Sequence, residues 1–190
     1  MIVIAVVGVA CAVAILYCTH IYYDREQALY DALVCTKNVM TNEQLDHWIT
    51  NGTLLGSARL GRFVMWDGEL DVAVLQDSSV SSDVLQQSID VLAASCFTYS
   101  NSMQAGSDLR GPRRWRLCTS RVCAEIHEFV STKGSLFLSS VDGVVAANQT
   151  LPLVACQVQG VDISCPSNTT FFLDAAYGAE WQSGSLTAMF

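Results

Sequence analysis

Hydrophobic patterning divides the chain into an unbroken apolar run and a longer region of alternating character. From Ile2 to Cys18 every residue is apolar apart from Gly8, and the first charged side chains are Asp24 and Arg25. As a helix that run reaches roughly 25 Å at 1.5 Å per residue, slightly short of a bilayer core. Continuing through Thr19 to Tyr23 extends it to roughly 33 Å and adds Tyr17, Tyr22 and Tyr23, rings suited to a membrane interface. Residues 1–23 therefore read as an uncleaved signal-anchor helix. A secretory signal is the rival, but it lacks a positive n-region and a small-x-small cleavage site; a buried core helix is the third reading. The first two place residues 24–190 in the secretory lumen, in the Golgi or ER, or outside the cell.

Beyond the anchor, Arg25 to Val39 carries Leu29, Ala32, Leu33 and Val34 at helical spacing. Thr41 with Gln44 resembles a capping box, predicting a second short helix with Leu45, Trp48 and Ile49 inward. Leu70 to Leu75 reads as a strand and Ser82 to Cys96 as a helix with Val84, Leu85, Ile89, Leu92 and Ala93 inward. Short strands are predicted at Arg114 to Arg121, Val122 to Val130 and Leu136 to Ser140, with turns at Gly134 and Asp142-Gly143. Val154 to Ile163 adds another, broken at Gly160, and Asn168 to Tyr177 closes as a helix ended by Gly178. No repeat or linker divides residues 24–190, so they form one α/β or α+β domain.

Composition narrows the function. The 190 residues carry 10 Lys plus Arg against 18 Asp plus Glu, a net charge of −8, which disfavours a general nucleic-acid binder. Cys11 and Cys18 lie in the apolar run. Six more, Cys35, Cys96, Cys118, Cys123, Cys156 and Cys165, lack zinc-knuckle spacing and fit disulfides in an oxidising compartment, with fifteen connectivities open. Sequons at Asn51, Asn148 and Asn168 are compatible with lumenal exposure.

Candidate chemistry concentrates after Gly52. On a strand, Glu69 and Asp71 project to one side while Leu70 and Val72 project to the other. Side-by-side carboxylates repel unless a cation joins them, and oxygen ligands suit Mg²⁺ or Mn²⁺. Asp67 stands in the loop before the strand. Gly56-Ser57 precedes the acids at an expected helix start, where backbone amides favour phosphate. Arg110, Arg113, Arg114, Arg116 and Arg121 supply five of the ten basic residues, and guanidinium forks match phosphate oxygens.

The stretch Gly52-Thr-Leu-Leu-Gly-x-x-Arg followed by Trp66-Asp-x-acid-x-Asp resembles the LicD/fukutin family, which includes phosphocholine transferases and fukutin-related ribitol-phosphate transferases. Val122-Cys-Ala-Glu-Ile-His-Glu-Phe is similar to that family's later acid-bearing strand. Val161 to Gly178, ending Leu-x-x-x-Tyr-Gly, is similar to its closing segment. The resemblance implies an α/β (α+β) nucleotidyltransferase-like mixed sheet flanked by helices, behind the N-terminal transmembrane helix. It implies that Gly56 and Ser57, with Arg59, Arg113 and Arg114, position donor phosphate. Glu69, Asp71 and Glu125 would hold the metal, and Asp67, Glu69, Asp71 and Glu125 form the catalytic set. His127 shares a strand face with Glu125. The family usually has Asp at the position of Glu69 and a further acid at that of Gly68.

The activity this implies is metal-dependent transfer of a phosphorylated alcohol, such as ribitol phosphate or phosphocholine, from a CDP-linked donor to a glycan or glycoprotein hydroxyl. Transfer of a nucleoside monophosphate, or an inactive membrane-anchored glycan-binding homologue, are the alternatives.

Overall fold

The computed structural model describes residues 2–64, 67–104, 112–132, 136–139 and 143–183, with side chains at 17, 19–64, 67–99, 112–132, 137 and 143–183. Helix α1 runs without a break over Ile2–Asn42. The expected anchor and the expected helix after it are thus one rod. Its inner stripe, Leu29, Ala32, Leu33 and Met40, is buried against the domain, the spacing of a single helix face. Among the described residues, no helix is long and apolar enough to cross a membrane; most of the sequence's anchor, residues 1–16 and 18, lies outside the described side chains.

The expected second helix is instead strand β1, His47–Ile49, and Thr41 belongs to the last turn of α1. Trp48 and Ile49 are fully buried, and antiparallel pairing with the next strand places Trp48 opposite Ala73. A three-residue segment gains more from completing a sheet edge than from one turn of helix, whose nucleation is costly. Helix α2, Asn51–Leu60, follows at once, then β2, Glu69–Gln76, and α3, Ser82–Cys96. The Ser81 hydroxyl caps α3 by accepting from the Val84 amide. The remaining strands are β3 (Tyr99–Gln104), β4 (Arg113–Cys118), β5 (Cys123–Thr132), β6 (Leu136–Ser139), β7 (Gly143–Ala146), β8 (Val154–Val158) and β9 (Val161–Cys165). Helix α4 (Ala147–Thr150) precedes β8, and α5 (Thr169–Tyr177) follows β9, capped by the Asn168 side chain. Strands β3 and β7 were not anticipated. The turn residues Gly134 and Asp142 lie outside the described residues.

The main sheet is mixed, in order β1-β2-β5-β4-β3, with β6 and β7 continuing from the far half of β5. Strands β2 and β5 run parallel, with Asp71 opposite Glu125 and Ala73 opposite His127; every other neighbour pair is antiparallel. Strands β8 and β9 form a separate hairpin. The core joins Trp48, Phe129 and Phe172, with Trp48 and Phe129 edge to face at 4.8 Å. Three disulfides choose among the fifteen connectivities: Cys35 with Cys96, Cys118 with Cys123, and Cys156 with Cys165. The first ties α1 to α3, and the second closes the β4–β5 hairpin. All three fit an oxidising compartment.

Candidate active site

The site forms where the start of α2 meets the centre of the sheet. Thr50 donates its amide to the Asp71 carbonyl, so the chain leaving β1 is pinned beside β2 before it turns into α2. The Gly52 amide then donates to Asp71 Oδ2 at 3.0 Å, and the Asp71 amide donates to Thr53 Oγ1 at 2.8 Å. The start of α2 therefore faces the Asp71 side chain. A β-carbon on residue 52 would stand 1.9 Å from Asp67 Oδ2 and 3.3 Å from Asp71 Oδ2. Glycine is what lets two carboxylates close on one helix start.

This geometry corrects the expectation for Gly56 and Ser57. Both lie in the second turn of α2, away from its start at Asn51. A β-carbon at 56 would meet the Arg62 carbonyl at 2.4 Å, and the Ser57 hydroxyl donates to the Gln157 carbonyl. They pack α2 on the loop behind it and on β8. The helix start belongs to Gly52 and Thr53, because Asn51, with φ 43°, makes the turn out of β1.

Across the parallel pair, Asp71, Glu125 and His127 offer ligand atoms that all lie within 4.8 Å of one another, and all three are buried. His127 Nε2 lies 3.5 Å from Asp71 Oδ1 and 3.9 Å from Glu125 Oε2, and its Nδ1 has no partner among the described residues. Those separations are too long for good hydrogen bonds. An octahedral ion with bonds of about 2.1 Å holds adjacent ligand atoms about 3 Å apart, so a small closing movement would bring these three onto one cation. A buried imidazole whose Nε2 makes only a long contact to Asp71, beside two carboxylates, fits such a role, and the donor set fits a divalent metal.

Glu69 lies on the same strand face but is not brought into this cluster; its carboxylate pairs with Arg116. Arg116 also donates to Glu125 Oε1 at 2.8 Å, and Arg114 approaches Glu125 Oε2 at 3.5 Å. Burial opposes the charge on Arg116, but the Glu69 and Glu125 carboxylates outweigh it and hold its pKa above the ordinary value. Arg113 points to the opposite face, donating to both oxygens of buried Glu128 and lying over Trp115. It is removed from the site by strand alternation. Arg59 sits in the last turn of α2, at the end opposite Asp71, and Arg110 lies outside the described residues.

Burial first, then the neighbouring Asp71 charge, pushes the Asp67 carboxyl up to about 6. The Tyr177 phenol, at the end of α5, is likewise raised by burial and by Asp71 and Asp67, so it faces the same acids as a neutral hydroxyl. Gly52, Thr53 and Tyr177 carried no assigned role in the sequence reading. The signal present was Gly-Thr directly ahead of the Leu-Leu of an amphipathic helix. Trp66 lies outside the described residues.

No curated protein matches the chain. Among solved structures, it is similar to the crystal structure of ANT(2″)-Ia in complex with adenylyl-2″-tobramycin, with a TM-score of 0.47 and 10% identity over 82% of this chain and 90% of that one. The family model described as LicD/FKTN/FKRP, nucleotidyltransferase domain, matches residues 44–168. That segment holds the start of α2, the acids of β2 and the Glu125–His127 pair of β5. The chain is a member of the LicD/FKTN/FKRP nucleotidyltransferase-domain family.

Proposed function

We propose that this protein transfers a phosphorylated alcohol from a CDP-linked donor to a hydroxyl of a glycan or glycoprotein, with Mg²⁺ or Mn²⁺ bound at the centre of the site. The observation that carries the reading is Asp71 and Glu125 in register on parallel strands, with buried His127 between them and the α2 start behind Asp71. Family membership supports a transferase acting through a nucleotide-linked donor.

Asp71, Glu125 and His127 would hold the metal, which when bound neutralises diphosphate charge. The Gly52 amide at the start of α2 aims the Asp71 carboxylate, and Arg116 with Arg114 fixes the orientation of Glu125. Asp67, whose carboxyl sits near 6, is matched to accepting the proton of the incoming hydroxyl at neutral pH. The acceptor oxygen forms a bond to the alcohol-bearing phosphorus, the bond from that phosphorus to the bridging oxygen breaks, and CMP leaves with the electron pair. Positioning and charge stabilisation supply most of the rate.

We propose further that residues 1–23 anchor the domain in an ER or Golgi membrane with residues 24–190 in the lumen, where three disulfides are stable. Product analysis tests the chemistry: released CMP with the phosphoalcohol on the acceptor supports it, and nucleotide on the acceptor supports nucleotidyl transfer instead. Full turnover by both Asp71→Ala and His127→Ala would overturn the catalytic assignment.

A further inference from the structure

Beside the acids lies a cleft of about 390 Å³ that the family-matched segment does not complete by itself. Its cationic walls come from three elements: Arg25 on α1, Arg116 on β4 and Arg121 in the β4–β5 turn, with Asp67 and Glu69 on its floor. Arg116 pairs with Glu69. Arg25 and Arg121 are exposed, and neither makes a salt bridge to a carboxylate among the described residues. Three arginines against the Asp67 and Glu69 carboxylates leave the lining a formal excess of one positive charge in a chain of net charge −8.

Two features set where these arginines stand on the fold. The Arg121 turn is short and doubly held: the Thr119 hydroxyl accepts from the amides of Arg121 and Val122, and the Cys118–Cys123 disulfide closes the hairpin beneath it. Arg25 lies directly on Gly68, where a β-carbon would stand 1.7 Å from its Nη2 and 2.5 Å from Cζ. The guanidinium occupies the space that a side chain at 68 would enter.

We infer that this cleft binds a phosphate group, with Arg25 and Arg121 as its recognition residues, next to the acid cluster. Guanidinium forks suit phosphate oxygens, and two exposed forks, neither in a salt bridge among the described residues, take a charged group better than a neutral sugar. The inference rests on the proposed function for its meaning, since the phosphate would belong to the CDP-linked donor or to a phosphorylated acceptor.

The test is calorimetric titration of the full chain in detergent with inorganic pyrophosphate, in metal-free buffer at physiological salt. Wild type binds; Arg25→Ala and Arg121→Ala each weaken binding about tenfold, the double variant about a hundredfold, and Lys37→Ala leaves it unchanged. Wild-type affinity in the folded double variant, or an equal loss in Lys37→Ala, overturns the inference. Competition by CDP identifies the donor as the source of the phosphate, and competition by a phosphorylated monosaccharide identifies the acceptor. Mn²⁺ titration of the same proteins separates the two readings. Mn²⁺ binding without pyrophosphate binding sinks this inference alone, whereas pyrophosphate binding without Mn²⁺ binding sinks the catalytic reading and leaves the phosphate site standing.

Discussion

Gly52→Ala isolates the close approach of Asp67 to the α2 start. The new methyl would stand 1.9 Å from Asp67 Oδ2 and 3.1 Å from its Cγ, whereas non-bonded carbon and oxygen need about 3.2 Å. Asp67 must therefore retreat by more than about an ångström, and a misplacement of that size costs roughly a hundredfold in rate. Asp71 Oδ2, at 3.3 Å, is nearly accommodated and keeps the amide of residue 52. Stability carries opposing terms: alanine's helix preference over glycine, at most roughly 0.5–1 kcal/mol, and relief of the Asp67–Asp71 repulsion work against the roughly 1–3 kcal/mol cost of forcing a methyl into a buried site. The melting temperature should fall by no more than several degrees, Mn²⁺ affinity should stay within about threefold, and transfer should fall at least about a hundredfold. Differential scanning fluorimetry, calorimetry and a CMP-release assay read the three quantities. A folded Gly52→Ala protein with wild-type turnover would refute the role assigned to Asp67.

Asp71→Asn keeps the amide contact but removes a charge from the Asp71, Glu125 and His127 cluster; Mn²⁺ binding should drop at least tenfold by titration, with near-wild-type thermal stability. Because the folded-state pKa of Asp67 is raised from 3.8 to about 6, the stability it contributes in the metal-free protein is fully present below pH 3.8 and is lost as pH rises through 6. Urea melts from pH 4 to 7 should show that decline in wild type and lose it in Asp67→Asn; identical slopes would count against the acid pair. The loop closed by Cys35 and Cys96 spans 61 residues, so Cys35→Ser/Cys96→Ser should cost about 4 kcal/mol in denaturant unfolding, against about 2 kcal/mol for the Cys118 and Cys123 pair five residues apart.

Much of the scaffold was legible in sequence because local signals agreed with tertiary demands. The α3 limits at Ser82 and Cys96 follow from a Ser81 cap and an apolar period that buries Leu85, Ile89 and Leu92, although Val84, expected inward, is exposed; α5 follows from Asn168 and Gly178. Residues 47–49 misled because a capping-box pattern at Thr41 competes with the burial of Trp48 against Phe129, a contact made across the sheet. Strand β3, Tyr-Ser-Asn-Ser-Met-Gln, is polar at an edge, where the pairing with β4 rather than its own pattern decides its state.

In the site, alternation along β2 and β5 correctly put Asp71 and Glu125 on one face, but periodicity does not say which charges neutralise each other. Glu69 went to Arg116, and His127 was left beside the carboxylates. Gly56-Ser57 resembles a phosphate-binding turn because Gly-Ser is common at helix starts; only the turn at Thr50 and Asn51, just past β1, shows that α2 has already begun.

The unbroken course of α1 carries a mechanical consequence. Leu29, Leu33 and Met40 are embedded in the core and Cys35 is bonded to α3, so the rod enters the domain with no swivel at its base. If residues 1–23 are held in a bilayer as proposed, Arg25 lies about 3 Å of helical rise above Tyr23. The reactive cleft would then ride at a fixed, low altitude, able to serve sugars tethered near the lipid surface and blind to the tips of tall chains.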